Sequence, residues 1–320
     1  MKKFFQDLTK KCAKAVVSET IALGSVLGAI CILSFFGDIA PIIDLFSHFR
    51  CLWVLIFIVI TAFALLGKRF IWAAVFAALT AANAAAIAML WLPSDLPPLQ
   101  KNVGELSLLD MNLFVDNQNK PAVLEAINKF KPDVIVLEEL NPDMLAKLEP
   151  ALKEYPYELC APDKTPFGIG IFSKTKLDNR KKNPLNLAKS FVLSSDVEVG
   201  GKPITIIAMH AFPPISSYGI SLDSSIISGL PALIGKSQKS VIMVGDFNST
   251  PWSSMFRKLK GSGNLNDSEQ GRGLQNSWLT IPLPIDHCLY TSDLRVLSRE
   301  LGAPFGSDHL PLFCRIKVGD

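Results

Sequence analysis

The chain has 320 residues, of which 49% are hydrophobic and 19% charged, with a formal net charge of +3 and a mean hydropathy of +0.31. That balance excludes an ordinary soluble protein and predicts that the apolar excess is gathered into segments built for lipid.

Taken in order, Thr20 to Gly37, Cys51 to Gly67 and Phe70 to Leu92 carry no Asp, Glu, Lys or Arg. Each has about the length a helix needs to cross a hydrocarbon core of ~30 Å, the middle one at the short end. We expect three transmembrane helices over 20–37, 51–67 and 70–92, the last two closed into a hairpin by Gly67-Lys68-Arg69. Lys2, Lys3, Lys10, Lys11 and Lys14 precede the first span as they would in a signal peptide, but the apolar run is longer than a secretory h-region and two more spans follow. Gly24 and Gly28 have the small-xxx-small spacing that lets another helix approach closely. The lysines and the Lys68-Arg69 turn fall on one side, and the loop from Asp38 to Arg50 holds a single basic residue. The positive-inside rule then places the N-terminus in the cytoplasm, and three spans place the remainder outside it. The expected location is the inner membrane, multi-pass, with the folded domain periplasmic.

Residues 93–102 open with Pro-Ser-Asp-Leu-Pro-Pro, a stiff linker between the membrane domain, 1–92, and a domain over 103–320. The second domain holds 23 Lys plus Arg against 24 Asp plus Glu, so the positive charge belongs to the membrane part. It lacks the basic excess of proteins that grip nucleic acid mainly through phosphates. Periodicity predicts strands over Leu106 to Asn112, Val134 to Leu137, Gly168 to Ser173, Phe191 to Val199, Ile204 to His210, Val241 to Val244, Ile285 to Thr291 and Leu310 to Ile316. Helices are expected over Ala122 to Phe130, Pro142 to Leu152 and Leu222 to Ile234, and Arg180-Lys181-Lys182 reads as a solvated loop. Many strands and few helices suggest an α/β protein with two packed sheets and helices outside. Cys160, Cys288 and Cys314 permit at most one disulfide here and have no metal-ligand spacing.

The polar residues collect at strand ends. The sequence Val241-Ile242-Met243-Val244-Gly245-Asp246-Phe247-Asn248 brings a carboxylate and a carboxamide out of a buried strand together, one residue apart, with Phe247 turned back to the core. Leu108 to Leu113 ends a strand near Asn112, Val134 to Leu140 ends one at Glu138-Glu139, and Ile206 to Pro214 ends one at His210. Asp286-His287 and Ser307-Asp308-His309 stand at the starts of two more.

These strings, in this order, resemble the endonuclease/exonuclease/phosphatase superfamily, whose members include deoxyribonuclease I, the exonuclease III type of abasic-site endonucleases, neutral sphingomyelinases and inositol polyphosphate 5-phosphatases. The resemblance covers Val103 to Asp320 and implies a four-layer α/β/β/α sandwich, here preceded by a bundle of three transmembrane helices. It implies a metal site at Glu139, Asn112 and Asp308 for Mg²⁺, or Mn²⁺ in its place, with Glu138 filling a position that is often Gln. It further implies that Asp246 and Asn248 position the attacking water and a phosphate oxygen. His309 is expected beside the phosphate, oriented by Asp286, and His210 at the leaving group. His309 would assist deprotonation or steady the phosphoryl charge, and the two histidines can exchange acid and base roles. His287 has no part in this chemistry.

The expected activity is metal-assisted hydrolysis of a phosphodiester, of nuclease type. A phospholipid phosphodiesterase or phosphatase is the alternative within enzymes, and an inactive membrane scaffold the alternative outside them. The expected partners are therefore a phosphate ester, from nucleic acid or a phospholipid headgroup, and the bilayer itself. No protein partner is legible.

Overall fold

The computed structural model describes residues 1–99, 102–182, 185, 192–235 and 240–319. The chain divides into a largely N-terminal helical unit, Met1–Leu90 with Trp252–Ser254, and a second unit, Trp91–Pro251 with Met255–Asp320. The helical unit contains α1 (Lys2–Leu33), α2 (Pro41–Leu45), α3 (Arg50–Leu66) and α4 (Phe70–Ala88). Three segments, Lys3–Phe36, Pro41–Leu66 and Phe70–Trp91, are helical, long enough and apolar enough to cross a membrane. α1 starts at Lys2, well before the expected Thr20, because lysine is a good helix former and nothing in the early sequence breaks the helix. At ~1.5 Å per residue its 32 residues exceed the thickness of a hydrocarbon core.

Packing inside this unit is aromatic: Phe57 stacks on Phe76 with centroids 5.9 Å apart. Leu55, Leu66 and Ile71 face outward and are 62%, 80% and 81% exposed. A Cβ on Gly24 would come within 2.9 Å of both Ile60 and Phe76, so the small residue lets α1 approach α3 and α4. Arg50 is buried; it donates to Ser34 Oγ (3.1 Å) and Asn83 Oδ1 (3.0 Å), with its guanidinium over Phe35.

The second unit contains two six-stranded sheets. In chain order its elements are β1 (Asn102–Asn112), α5 (Lys120–Phe130), β2 (Val134–Glu138), α6 (Pro142–Leu152), β3 (Tyr157–Ala161), β4 (Ile169–Ser173), β5 (Asp178–Lys182), β6 (Val192–Val199) and β7 (Lys202–Met209). They continue with α7 (Ser217–Gly235), β8 (Ser240–Asp246), α8 (Ser254–Ser262), β9 (Asn266–Asp267), β10 (Asp286–Tyr290), β11 (Leu294–Leu301) and β12 (Leu312–Gly319). One sheet has the order β11-β12-β1-β2-β4-β3 and the other β5-β6-β7-β8-β10-β9. Leu108, Val134, Val136 and Ile171 of the first pack with Ile204, Ile206, Ile242 and Val244 of the second in one core. Separate cores lie under α7 and α8 and under α5 and α6. This is the α/β sandwich expected, helices outside two facing sheets.

The differences have physical causes. β5, which contains Arg180, Lys181 and Lys182, is an edge strand exposed at every residue, so no alternation marks it, and the run read as a loop pairs with β6. β3, β9, β11 and α8 are additional elements. Phe191, expected to open a strand, and residues 100–101 of the expected linker lie outside the described residues. The start of the linker is not free, since Gln270 donates to the Leu92 carbonyl at 2.6 Å. All three cysteines of this unit are free thiols.

Candidate active site

The central strands end together. β1 and β2 run parallel with Asn112 opposite Glu138, and β8 and β10 run antiparallel with Asp246 opposite Asp286. Gly245 has φ +138°, and a Cβ there would collide with the Met209 carbonyl and lie 2.7 Å from Glu138 Oε1. Only glycine lets β8 turn out between these groups. After β2, Glu139 takes a left-handed φ of +53°. That conformation, which costs about 1 kcal/mol or more in a non-glycine residue, separates two consecutive glutamates. Glu138 is wholly buried and Glu139 half-buried at the opening.

Eight side chains singled out in the sequence come together here. Asn112 Nδ2 donates to Asp246 Oδ2 (3.1 Å) and Glu139 Oε1 (3.3 Å). Asn248 donates from its backbone to Asp246 Oδ1 (2.7 Å), and from Nδ2 to Asp246 Oδ2 (3.2 Å) and the Ala211 carbonyl (2.9 Å). Nε2 of His210 and of His309 lie 3.6 and 3.7 Å from Asp246 Oδ2. His309 Nδ1 contacts Asp286 Oδ2 at 2.9 Å, and Asp308 accepts the Trp278 indole N–H at 2.9 Å.

Environment sets the two imidazoles apart. His210 Nδ1 is 3.0 Å from the Pro166 carbonyl, which only accepts, so Nδ1 carries the proton and Nε2 faces Asp246. Burial, then the positive His309, lower its pKa to about 4, and it is neutral at pH 7. Burial also disfavours charge on His309, but Asp286 and Asp246 outweigh that and raise it to about 10. The same pairing holds Asp286 below its ordinary value in spite of its burial. Asp246, buried and adjacent to Asp286, is pushed up to about 7, with His309 opposing the rise. The site thus holds a neutral imidazole, an imidazolium and a carboxyl group poised near neutrality.

Around them is a cavity of about 310 Å³ lined by Glu139, His210, Asp246, Asn248, Asp308 and His309, with Phe167, Phe212 and Trp278 on its apolar side. Its lining includes neither Lys nor Arg among the described residues. The hydrogen-bond donors on Glu139 are uncharged, from Asn112 and the Val115 N–H, and burial raises its pKa. Hard oxygen donors that no described Lys or Arg pairs with suit a divalent ion such as Mg²⁺. Asp246, Asp286 and His309 also place ligand atoms within 4.8 Å of one another, but the His309 N–H engaged by Asp286 makes that trio a hydrogen-bonded relay.

Sequence reasoning missed several neighbours. Pro166, Phe167 and Phe212 carry no polar signal, and Trp278 is set in a stretch without regular periodicity. Ser277, whose Oγ accepts the Asp286 N–H at 3.0 Å, fixes the start of β10.

A family model described as the Endonuclease/Exonuclease/phosphatase family matches residues 102–309. The chain belongs to that family. Family members are phosphoric ester hydrolases, and the same architecture recurs in solved structures. A Danio rerio TDP2 complexed with single-strand DNA product is 16% identical, with 66% of this chain and 98% of that one covered and a TM-score of 0.55. The human Nocturnin catalytic domain with bound sulfate is 19% identical, with 67% and 94% covered and a TM-score of 0.54. The 3′ phosphatase NExo from Neisseria, bound to a product DNA hairpin, is 18% identical, with 65% and 98% covered and a TM-score of 0.54. At these identities the likeness concerns the fold. No curated protein matches the chain.

Proposed function

We propose that this family member is a membrane-anchored, divalent-metal-dependent phosphodiesterase that cuts its substrate by attack of water. The observation that carries the reading is the convergence of Asp246 with His210 and His309, backed by Asp286, in a cleft whose mouth holds Glu139. Glu139, with Asn112 and Asp308, would hold the cation, which when bound polarises the phosphoryl group and offsets its charge. Asp246, near neutrality, receives the proton of the attacking water, which Asn248 helps to orient. His309, cationic and clamped by Asp286, steadies the charge on the phosphoryl oxygens. Neutral His210 orients groups at the leaving side of the cleft. Burial and charge thereby favour the second of the two roles expected for His309.

Two substrate classes follow, and nuclease-type cleavage comes first. TDP2 and NExo, which share the fold, were solved with DNA products. A phospholipid diester is favoured by a separate observation, the cleft wall. Phe167 stacks on Phe212 at 5.0 Å, the lining has no Lys or Arg among the described residues, and Ile215 nearby in sequence is 76% exposed. Nucleic-acid binding draws most of its affinity from several cationic contacts to phosphates, and among the described residues this lining offers His309 but no Lys or Arg. The three apolar helices and the short connection after them would keep the domain within reach of a bilayer.

The test uses the full chain in detergent or nanodiscs, with Mg²⁺ or with EDTA. Plasmid and single-stranded DNA are compared with vesicles of a zwitterionic phospholipid. Metal-dependent DNA cleavage supports the nuclease, and headgroup release without DNA cleavage supports the lipid enzyme. Inactivity on both, with the protein folded and loaded with metal, contradicts the proposal and favours a scaffold.

A further inference from the structure

His287 has no part in the chemistry above, yet it is completely buried. It follows Asp286 on β10, and its ring packs against Phe256 and Phe247 at centroid distances of 4.4 and 5.3 Å. Nε2 lies 2.7 Å from the Ser249 carbonyl. A carbonyl only accepts, so Nε2 carries the proton and, in the neutral ring, Nδ1 keeps a bare lone pair. Nδ1 has no hydrogen-bond partner. Burial lowers the pKa of this imidazole, which keeps it neutral.

Two carboxylates converge on the same place. Asp267, on β9, and Glu269 are 4% and 0% exposed, and one ligand atom from each lies within 4.8 Å of one from His287 and of the other. Asp267 Oδ1 accepts the Glu269 N–H at 2.9 Å, and Glu269 Oε1 accepts the Gln275 N–H at 2.8 Å. Glu269 Oε2 has no partner. The neighbouring cation does not supply one: Arg299 donates to Ser268 Oγ (3.1 Å), Gln275 Oε1 and the Asp286 carbonyl (2.9 Å), all uncharged oxygens. Three potential ligand atoms therefore lie close together on buried residues, and two atoms of these side chains, His287 Nδ1 and Glu269 Oε2, have no donor. Such an arrangement is costly unless a proton or a cation joins it.

We propose that Asp267, Glu269 and His287 form a second cation site, separate from the catalytic cleft, for a divalent transition ion of the Zn²⁺ or Mn²⁺ class. One imidazole nitrogen and two carboxylates suit that class better than Mg²⁺ or Ca²⁺, which take oxygen ligands. Zn²⁺ ligand distances of about 2.0–2.2 Å require the three atoms to close by roughly an ångström, within the range of side-chain adjustment. The role is structural. The ion fastens the segment around β9 to β10, the strand whose first residue, Asp286, holds His309.

Zinc alone is the probe, on the full chain in detergent after exhaustive removal of metals. Glu139→Gln weakens the cleft site and leaves the new one; Glu269→Gln does the reverse. Zinc bound per chain is measured by elemental mass spectrometry, together with the thermal midpoint with and without zinc. The expected result is one ion retained by E139Q with a zinc-dependent rise in Tm of about 4 °C or more, and both effects lost when E269Q is added. An E139Q protein that binds no zinc overturns the proposal, as does an E269Q protein with the wild-type count and the wild-type Tm shift. If E269Q does not fold, Co²⁺ loaded into E139Q decides the question without touching the cluster. Visible d–d bands of a low-coordinate imidazole site are expected; a spectrum of free aqueous Co²⁺ overturns the proposal.

Discussion

At the scale of single residues, the opposed states of His210 and His309 are the most informative feature, because one carboxylate, Asp286, is clamped to only one of them. Replacing Asp286 by Asn should release His309 from its cationic state and lower kcat by about 10²–10⁴-fold, with KM little changed; steady-state kinetics on a small phosphodiester checks this. A buried acid outside the site offers an independent test. Asp223 on α7 is 5% exposed, and burial pushes its pKa up to about 8 from 3.8. A folded-state pKa above the unfolded one means that the fold favours the protonated form. The stability this provides is full below about pH 3.8 and is lost as pH rises through about 8. Asp223→Asn should therefore raise Tm at pH 8 by a few degrees, about 4 °C or more, and flatten the dependence of Tm on pH between 5 and 8. A Tm unchanged at pH 8 would contradict the assigned cause. The residues that sequence made legible are those whose chemistry needs a polar group after an apolar run: Asn112, Glu139, His210, Asp246 and His309. Asp110, two residues before Asn112 and wholly inside the fold, was not legible as a buried acid. Nothing in the string Leu-Leu-Asp-Met-Asn shows that it will face Glu138 or that burial will raise both pKa values, with Asp110 adding to the rise of Glu138 and the Glu138 hydrogen bond opposing that of Asp110.

At the scale of elements, the site depends on where strands stop. Gly245 lets β8 end between the Met209 carbonyl and Glu138, so Gly245→Ala forces both a disfavoured φ and a collision. It should cost about 2–4 kcal/mol, visible as a lower midpoint in denaturant, and should disturb the Asp246 position enough to reduce activity in whatever protein remains folded. The core strands β1, β2, β7 and β8 were readable because buried parallel pairs need near-continuous apolar runs. β5 and β11 were not. β5 is entirely exposed, and β11 has a register irregularity between Val296 and Ser298 that breaks the alternation. The short β9 was equally invisible, since two residues show no alternation, and Asp267, Glu269 and His287 meet only in three dimensions.

At the scale of the whole molecule, hydropathy alone marked the three helices long and apolar enough to cross a membrane, because three uncharged runs leave little choice. Orientation follows from lysines and so remains a prediction with its own test. A reporter that matures only outside the cytoplasm, fused after the last residue, should be active, and one that fluoresces only in the cytoplasm should be dark; the opposite pattern would reverse the assigned topology. The site is more legible than its substrate, since phosphate chemistry fixes residue types, whereas the apolar wall formed by Phe167 and Phe212 comes from two loops distant in sequence. The most direct test of the central claim is hydrolysis of bis(p-nitrophenyl) phosphate by the full chain during a Mg²⁺ titration, beside Glu139→Gln and His309→Ala. Saturable, Mg²⁺-dependent release of p-nitrophenol, abolished by EDTA and reduced at least about 10²-fold in both variants, is the predicted result; variants as active as the wild type, or turnover indifferent to metal, would contradict it.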